Sequence, residues 1–222
     1  MLSQVANGAI AFIGPDNSCL TEATVAAALN LPMISYKCSD QKVSDKSLYH
    51  TFARTVAPDT GIVNSVLTLL EYYGWMRFSL LYQDKENYRK IADNLVEKAN
   101  TKFVVEPRRR FISDSSECCQ TNATNNSCCQ FSLKEIIENV AKQTRIWVIL
   151  GDYKEVKIFM KLFKNHNLHL NGHFAIIVDT ADWDEGIYVR SLEPNMDDDL
   201  HSAYQVTMMI TFSPPDKEKY RE

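Results

Sequence analysis

Apolar and polar positions alternate between two periods along this chain, and each change of period marks an element. Gly8-Ala9-Ile10-Ala11-Phe12-Ile13 is a continuous apolar run, the pattern of a strand covered on both faces, and it ends in a Gly14-Pro15-Asp16-Asn17 turn. An alanine-rich helix follows through Ala23, Val25, Ala26, Ala27 and Leu29, with Ser18 or Thr21 as its cap. Pro32 closes the connection, and Met33-Ile34-Ser35-Tyr36 is the next strand, predicted to lie parallel to the first. Asp59 caps a helix over 60–73 with Ile62, Val66, Leu69, Leu70 and Tyr73 at helical spacing, and Gly74 stops it.

The pattern then repeats. Arg77 to Tyr82 reads as a strand, Asp84 opens a helix with Tyr88, Ile91, Ala92, Leu95, Val96 and Ala99 on one stripe, and Phe103-Val104-Val105 is a short strand. Ser132 and Glu135 form a capping box for a helix that turns Leu133, Ile136, Ile137 and Val140 inward. Arg145 to Leu150 is again apolar, Asp152 and Glu155 offer a second capping box, and a helix through Val156, Phe159, Met160 and Phe163 follows. Phe174 to Val178 is one more buried strand, and Tyr204 to Phe212 reads as the last, ended by Pro214-Pro215. Strand and helix in strict alternation predict an α/β fold with parallel, doubly wound sheets. The stretch from Leu31 to Trp75 closes one such array just before another begins, so it reads as the seam between two lobes and one wall of a ligand cleft.

Charge and composition narrow the function. A net charge of -4 leaves no basic footprint for nucleic acid, and Arg108-Arg109-Arg110 and Asp197-Asp198-Asp199 read as solvated loops. No apolar run reaches the ~18 residues of a membrane-spanning helix. The start, MLSQVANGAIAFIGP, lacks the basic region and unbroken apolar core of a signal peptide. The cysteines nevertheless point to an oxidising compartment. Cys118-Cys119 and Cys128-Cys129 bracket a segment with glycosylation sequons at Asn122 and Asn125. A zinc site is the rival, but adjacent cysteines reach one tetrahedral ion poorly. Four cysteines allow three pairings, which spacing alone leaves open. Cys19 and Cys38 follow the ends of two strands that, if adjacent, place them within disulfide reach; a partner upstream is the competing choice. The cysteines and the missing leader together read as an internal piece of a secreted or membrane-anchored protein.

Four segments carry a family resemblance: Ile10-Ala11-Phe12-Ile13-Gly14-Pro15, Leu31-Pro32-Met33-Ile34-Ser35-Tyr36, Phe52-Ala53-Arg54-Thr55-Val56-Ala57-Pro58 and Tyr73-Gly74-Trp75. In order and spacing they resemble the ligand-binding module of the atrial natriuretic factor receptor family. The resemblance implies a type I periplasmic-binding-protein fold, with ligand held between two lobes or on a dimer. It divides the chain into a partial first lobe over 1–75, a second lobe over 76–205, and a segment over 206–222 crossing back. Within the family, amino-acid receptors carry a Ser-x-Ala-Ser-Thr motif where this chain has Ser35-Tyr36-Lys37-Cys38-Ser39-Asp40, so an amino-acid ligand is disfavoured. The segment Ala203 to Phe212 and the Pro-Pro-Asp-Lys-Glu-Lys-Tyr after it are similar to receptor guanylyl cyclases of the natriuretic-peptide type. Gly14-Pro15 is followed by Asp16-Asn17-Ser18 before Cys19, so the chloride site of natriuretic peptide receptors does not carry over. The double-cysteine loop points to a divergent, invertebrate-like branch.

Open α/β sheets bind ligands beyond the C-terminal ends of their strands. That rule nominates Ser35, Tyr36, Lys37 and Asp40 on the first lobe, and Asp84, Asn87, Tyr88, Gly151, Asp152, Tyr153, Asp179 and Trp183 on the second. Each has a plainer role: Asp84 and Asp152 as helix caps, Tyr36 and Tyr88 as packed side chains. His166 and His169 have a spacing that suits a metal but no third ligand. With no Gly-x-Ser-x-Gly elbow and no phosphate-cradling loop, catalysis and cofactors are not expected of this region. The reading is the extracellular ligand-binding region of a single-pass receptor guanylyl cyclase, taking a peptide or small molecule and paired as a homodimer. The alternatives are a clearance-type or amino-acid-type receptor without a cyclase, and a soluble solute-binding domain.

Overall fold

Five consecutive apolar residues, Ile146-Trp147-Val148-Ile149-Leu150, have no polar face to offer solvent, and the chain buries all five in the centre of a parallel sheet. This is seen in a computed structural model, which describes residues 2–15, 19–111, 133–178 and 198–210. The Cys118 to Cys129 loop, its sequons at Asn122 and Asn125, Asp179 and Trp183 lie outside the described residues, as do Ser18 and Ser132. The fold is α/β with parallel sheets, in two compact units, 1–64 and 65–222.

The first unit contains α1 (Leu2–Ala6), β1 (Phe12–Ile13), α2 (Leu20–Ala28), β2 (Met33–Ser35), a 3-10 turn over Gln41–Ser44, and β3 (Phe52–Arg54). The strands pair in parallel in the order β1-β2-β3, with Phe12 opposite Met33 and Met33 opposite Phe52. These three residues and Ala23, Ala26, Cys19, Cys38 and Val43 make one small core. Its pleat explains a departure from the sequence reading. The apolar run Gly8 to Ile13 is not covered on both faces: only its last two residues form strand, and Ile10 and Ile13 are 81% and 85% exposed. Alternate residues face opposite sides, so Phe12 turns inward while Ile13 and its register partner Ile34 turn away. The helix α2 begins at Leu20 with Cys19 at its cap position, so Thr21 lies inside the first turn rather than capping it.

The helix α3 (Thr60–Tyr72) contains the boundary between the units. It ends with Trp75 N–H donating to the Leu70 carbonyl and Gly74 N–H to that of Glu71, the six-to-one and five-to-two pair of a Schellman cap. Gly74 takes the left-handed conformation this requires, at φ +69°.

The second unit holds β4 (Arg77–Gln83), α4 (Glu86–Ala99), β5 (Val104–Phe111), α5 (Leu133–Val140), β6 (Ile146–Leu150), α6 (Tyr153–Asn165), β7 (Phe174–Val178), α7 (Asp198–Tyr204) and β8 (Thr207–Ile210). All pairings are parallel, in the order β5-β4-β6-β7-β8. The predicted stripes are the buried ones: Ile136, Ile137 and Val140 of α5 and Val156, Phe159, Met160 and Phe163 of α6 pack on Trp147, Ile149, Ala175 and Ile177.

Three boundaries move. The strand expected over 103–105 runs instead from Val104 to Phe111, at the edge of the sheet, where Glu106, Pro107 and Arg108 to Arg110 interrupt the apolar pattern. Arg108 to Arg110 are thus strand residues, not a loop. The last strand begins at Thr207 rather than Tyr204, because Tyr204 is buried from a preceding helix. Asp84 does not open α4, which starts at Glu86 with Lys85 at its cap position.

Candidate ligand-binding site

In the first unit, the chain leaving β2 is built around a buried serine. Ser35 is fully buried; its hydroxyl accepts from Cys38 N–H at 3.0 Å and Lys37 N–H at 3.4 Å and donates to the Pro15 carbonyl at 3.3 Å. The turn it makes directs Tyr36, half exposed, and Lys37, exposed, outward. Cys38 is bridged to Cys19, with Cα atoms 5.8 Å apart, so the bridge joins the ends of adjacent strands. Asp40 caps the 3-10 turn by accepting from Lys42 N–H at 2.9 Å. Sequence reasoning did not single out Arg54, at the end of β3. Its guanidinium donates to the carbonyls of Cys38 (3.2 Å) and Asp40 (2.8 Å) and to the Ser44 hydroxyl, tying the segment down. Desolvation lowers the Arg54 pKa from its ordinary value, against the nearby charges of Asp59 and Asp40. Beside this segment an open hollow of about 540 Å³ is lined by Gln41, Lys42, Ser44, Asp45, Leu48 and Tyr49.

In the second unit, the C-terminal ends of β4, β5 and β6 converge. Gly151 follows β6 where a Cβ would lie 3.2 Å from Phe111 Cζ, so only glycine passes without displacing the ring. Asp152 N–H donates to the buried Gln83 Oε1 at 2.9 Å. The Asp152 carboxylate takes the Tyr88 hydroxyl on Oδ1 at 2.8 Å and the Lys85 ammonium on Oδ2. Burial raises the Asp152 pKa, but its hydrogen bonds from Lys85 and Tyr88, the Lys85 charge and Gln83 outweigh it, and the carboxyl sits below its ordinary value. Asp152 holds the cap position of α6, yet its side chain makes no capping bond, so the capping box read with Glu155 does not form. Tyr88 is 2% exposed and hence both packed and hydrogen-bonded.

Asp84 is tied the other way. Its carboxylate meets Arg89 Nε and Arg110 Nη1, each at 3.3 Å, and its N–H donates to the Phe111 carbonyl. Lys85, next in the chain, links this pair to Asp152. Asn87 is exposed on the first turn of α4, and Tyr153 is half-buried against the core. The structure therefore brings Asp84, Tyr88, Gly151 and Asp152 to one edge and adds Gln83, Lys85, Arg89 and Arg110. Gln83, a polar residue ending an apolar strand, was open to the same strand-end rule that nominated the rest. His166 Nε2 faces Glu138 Oε1 at 3.8 Å, and among the described residues no three side chains are grouped to hold a metal. No described helix is long and apolar enough to cross a membrane.

The receptor family ligand binding region, the module of the atrial natriuretic factor receptors, matches residues 1–222. The chain belongs to this family. Among family members, Guanylate cyclase 32E of Drosophila melanogaster is 35% identical over 190 residues, 85% of this chain. Receptor-type guanylate cyclase Gyc76C of the same species is 34% identical over 78% of the chain, and the Resact receptor of Arbacia punctulata 28% over 77%. The chain spans 16%, 11% and 17% of the lengths of these three proteins. The region is a receptor ligand-binding domain, with parallel α/β sheets as the family implies.

Proposed function

We propose that this chain is the extracellular ligand-binding region of a single-pass receptor guanylyl cyclase that couples ligand binding to cGMP synthesis. The observation that carries the reading is similarity at 34% and 35% identity, across 78% and 85% of the chain, to two proteins named as guanylate cyclases. The disulfide between Cys19 and Cys38 supports an oxidising compartment. Ligand choice is argued from the first unit: the Ser35 hydroxyl is spent on its own turn, so it is not free for the carboxylate of an amino acid, and the ligand class is a peptide or another small molecule. Ligand contacts are proposed for each unit by itself: Tyr36, Lys37 and Asp40 in the first, and Asp84, Asn87, Tyr88, Gly151, Asp152, Tyr153, Asp179 and Trp183 in the second. The parent receptor is proposed to work as a homodimer. Ligand shifts such a receptor only by binding one arrangement more tightly than the other.

The test is the full-length transcript and its product. A membrane-spanning segment followed by a cyclase domain, and cGMP production in cells expressing it, are the expected result. A stop codon or a seven-helix domain after residue 222 would refute the reading.

A further inference from the structure

The core of the second unit contains one buried polar pair that the ligand site does not use. Trp147 is fully buried in the middle of the apolar cluster, with its ring against Phe159 and Phe163 of α6. Its indole Nε1–H donates to Nδ1 of His173 at 3.1 Å, and His173 is itself 7% exposed. An indole nitrogen is only a donor, so the ring nitrogen facing it must carry a lone pair. A ring with its lone pair on Nδ1 is the neutral one, and the indole bond favours that form.

Protonation has nowhere to go without cost. A proton on Nδ1 would set two donors against each other inside the core, leaving the indole N–H without a partner and a cation where water does not reach. The charges around the ring add to this. Arg145, immediately before β6, is the charge that acts on it, and it repels an imidazolium. On the neighbouring elements, Glu138 of α5 pairs with His166 at the end of α6, and β8 (Thr-Met-Met-Ile) carries no charge. His169, in the turn after α6, has a buried Nδ1 without a hydrogen-bond partner. Desolvation first, then Arg145, lower the His173 pKa below the usual imidazole value, against the Thr144 contact.

We propose that the Trp147–His173 hydrogen bond is an acid-sensitive latch: protonation of His173 breaks it and loosens the end of the sheet where β6 and β7 begin. The sign follows from linkage. The unfolded chain takes up a proton near pH 6.5 and the folded one only below that. The stability is whole above about 6.5 and is withdrawn as pH falls through the folded value. A domain so built is held more firmly in neutral fluid than in an acidified compartment. The device does not depend on the proposed receptor role.

The test compares the 222-residue chain with His173→Gln, whose amide can accept from the indole but cannot titrate. Between pH 7.5 and 5.5 the folded-to-unfolded ratio of the parent chain should fall up to roughly tenfold more than that of the variant. Equal losses in both would overturn the proposal. If the variant does not fold, imidazole nitrogen NMR on the parent chain decides. A bare Nδ1 at pH 7.5, whose protonation below pH 6.5 coincides with loss of exchange protection at the Trp147 indole, is expected. A protonated Nδ1, or titration without change at Trp147, sinks it.

Discussion

Tyr88 donates a hydrogen bond from inside the core of the second unit to the partly exposed Asp152 carboxylate, and that bond helps set how the strand-end cluster is presented. Replacing it with Phe keeps the ring and removes the donor. The Asp152 carboxyl, now below its ordinary value, should then move up towards it, as carboxyl NMR would report. The stability tied to its ionisation is complete above about pH 4 and is lost as pH falls through the folded value, so Tyr88→Phe should shrink that acid-side loss. At Gly151 the constraint is steric. Gly151→Ala brings a methyl to 3.2 Å from Phe111 Cζ, and the expected cost is about 1–3 kcal/mol in urea unfolding, as overpacking usually gives. These residues differ in how far sequence reveals them. Asp152 and Tyr88 follow strand ends that are plain in the pattern. Arg54 is the last residue of a three-residue strand, too short for a period of two to register, and so escapes notice.

At the scale of elements, continuous apolar runs were the most legible, because burial on both faces leaves no polar alternation to misread: Phe174–Val178 forms over the predicted residues. Edges are harder. β5 lies at the edge of the described sheet, and its charges together with the buried Pro107 erase its apolar signature. Tyr204 reads as strand in the sequence because an apolar side chain fits a buried helix or a buried strand equally well, and it lies in a helix. The turn after α3 illustrates a stop signal with a mechanism. Gly74→Ala should cost about 1 kcal/mol, since its φ of +69° strains any residue with a Cβ. Thermal unfolding of the two chains side by side would measure it.

For the whole molecule, the two units rest on different supports. The second has a large apolar core, whereas the first has a three-stranded sheet, one packed helix and a disulfide closing a 19-residue separation. On the loop-entropy view a bridge of that span contributes about 3 kcal/mol. Converting both Cys19 and Cys38 to Ala should therefore raise hydrogen exchange throughout β1 to β3 while leaving β6 and β7 protected. Equal loss in both regions would contradict this. The sequence resolved the cysteine pairing only conditionally, since it depended on β1 and β2 being neighbours, a fact of topology that spacing does not contain.

The described outer edge of β5 has a consequence for handling. Proline at 107 presents no N–H to an incoming strand. Beyond it Arg108 is held by Asp93 and Arg110 by Asp84, while Arg109 stands exposed between them. A second chain attempting to extend this sheet would meet a gap in the hydrogen-bond ladder and then its own arginines facing like charges. The edge is thus poorly suited to seed stacking of one molecule on the next, and crowding should leave this border single.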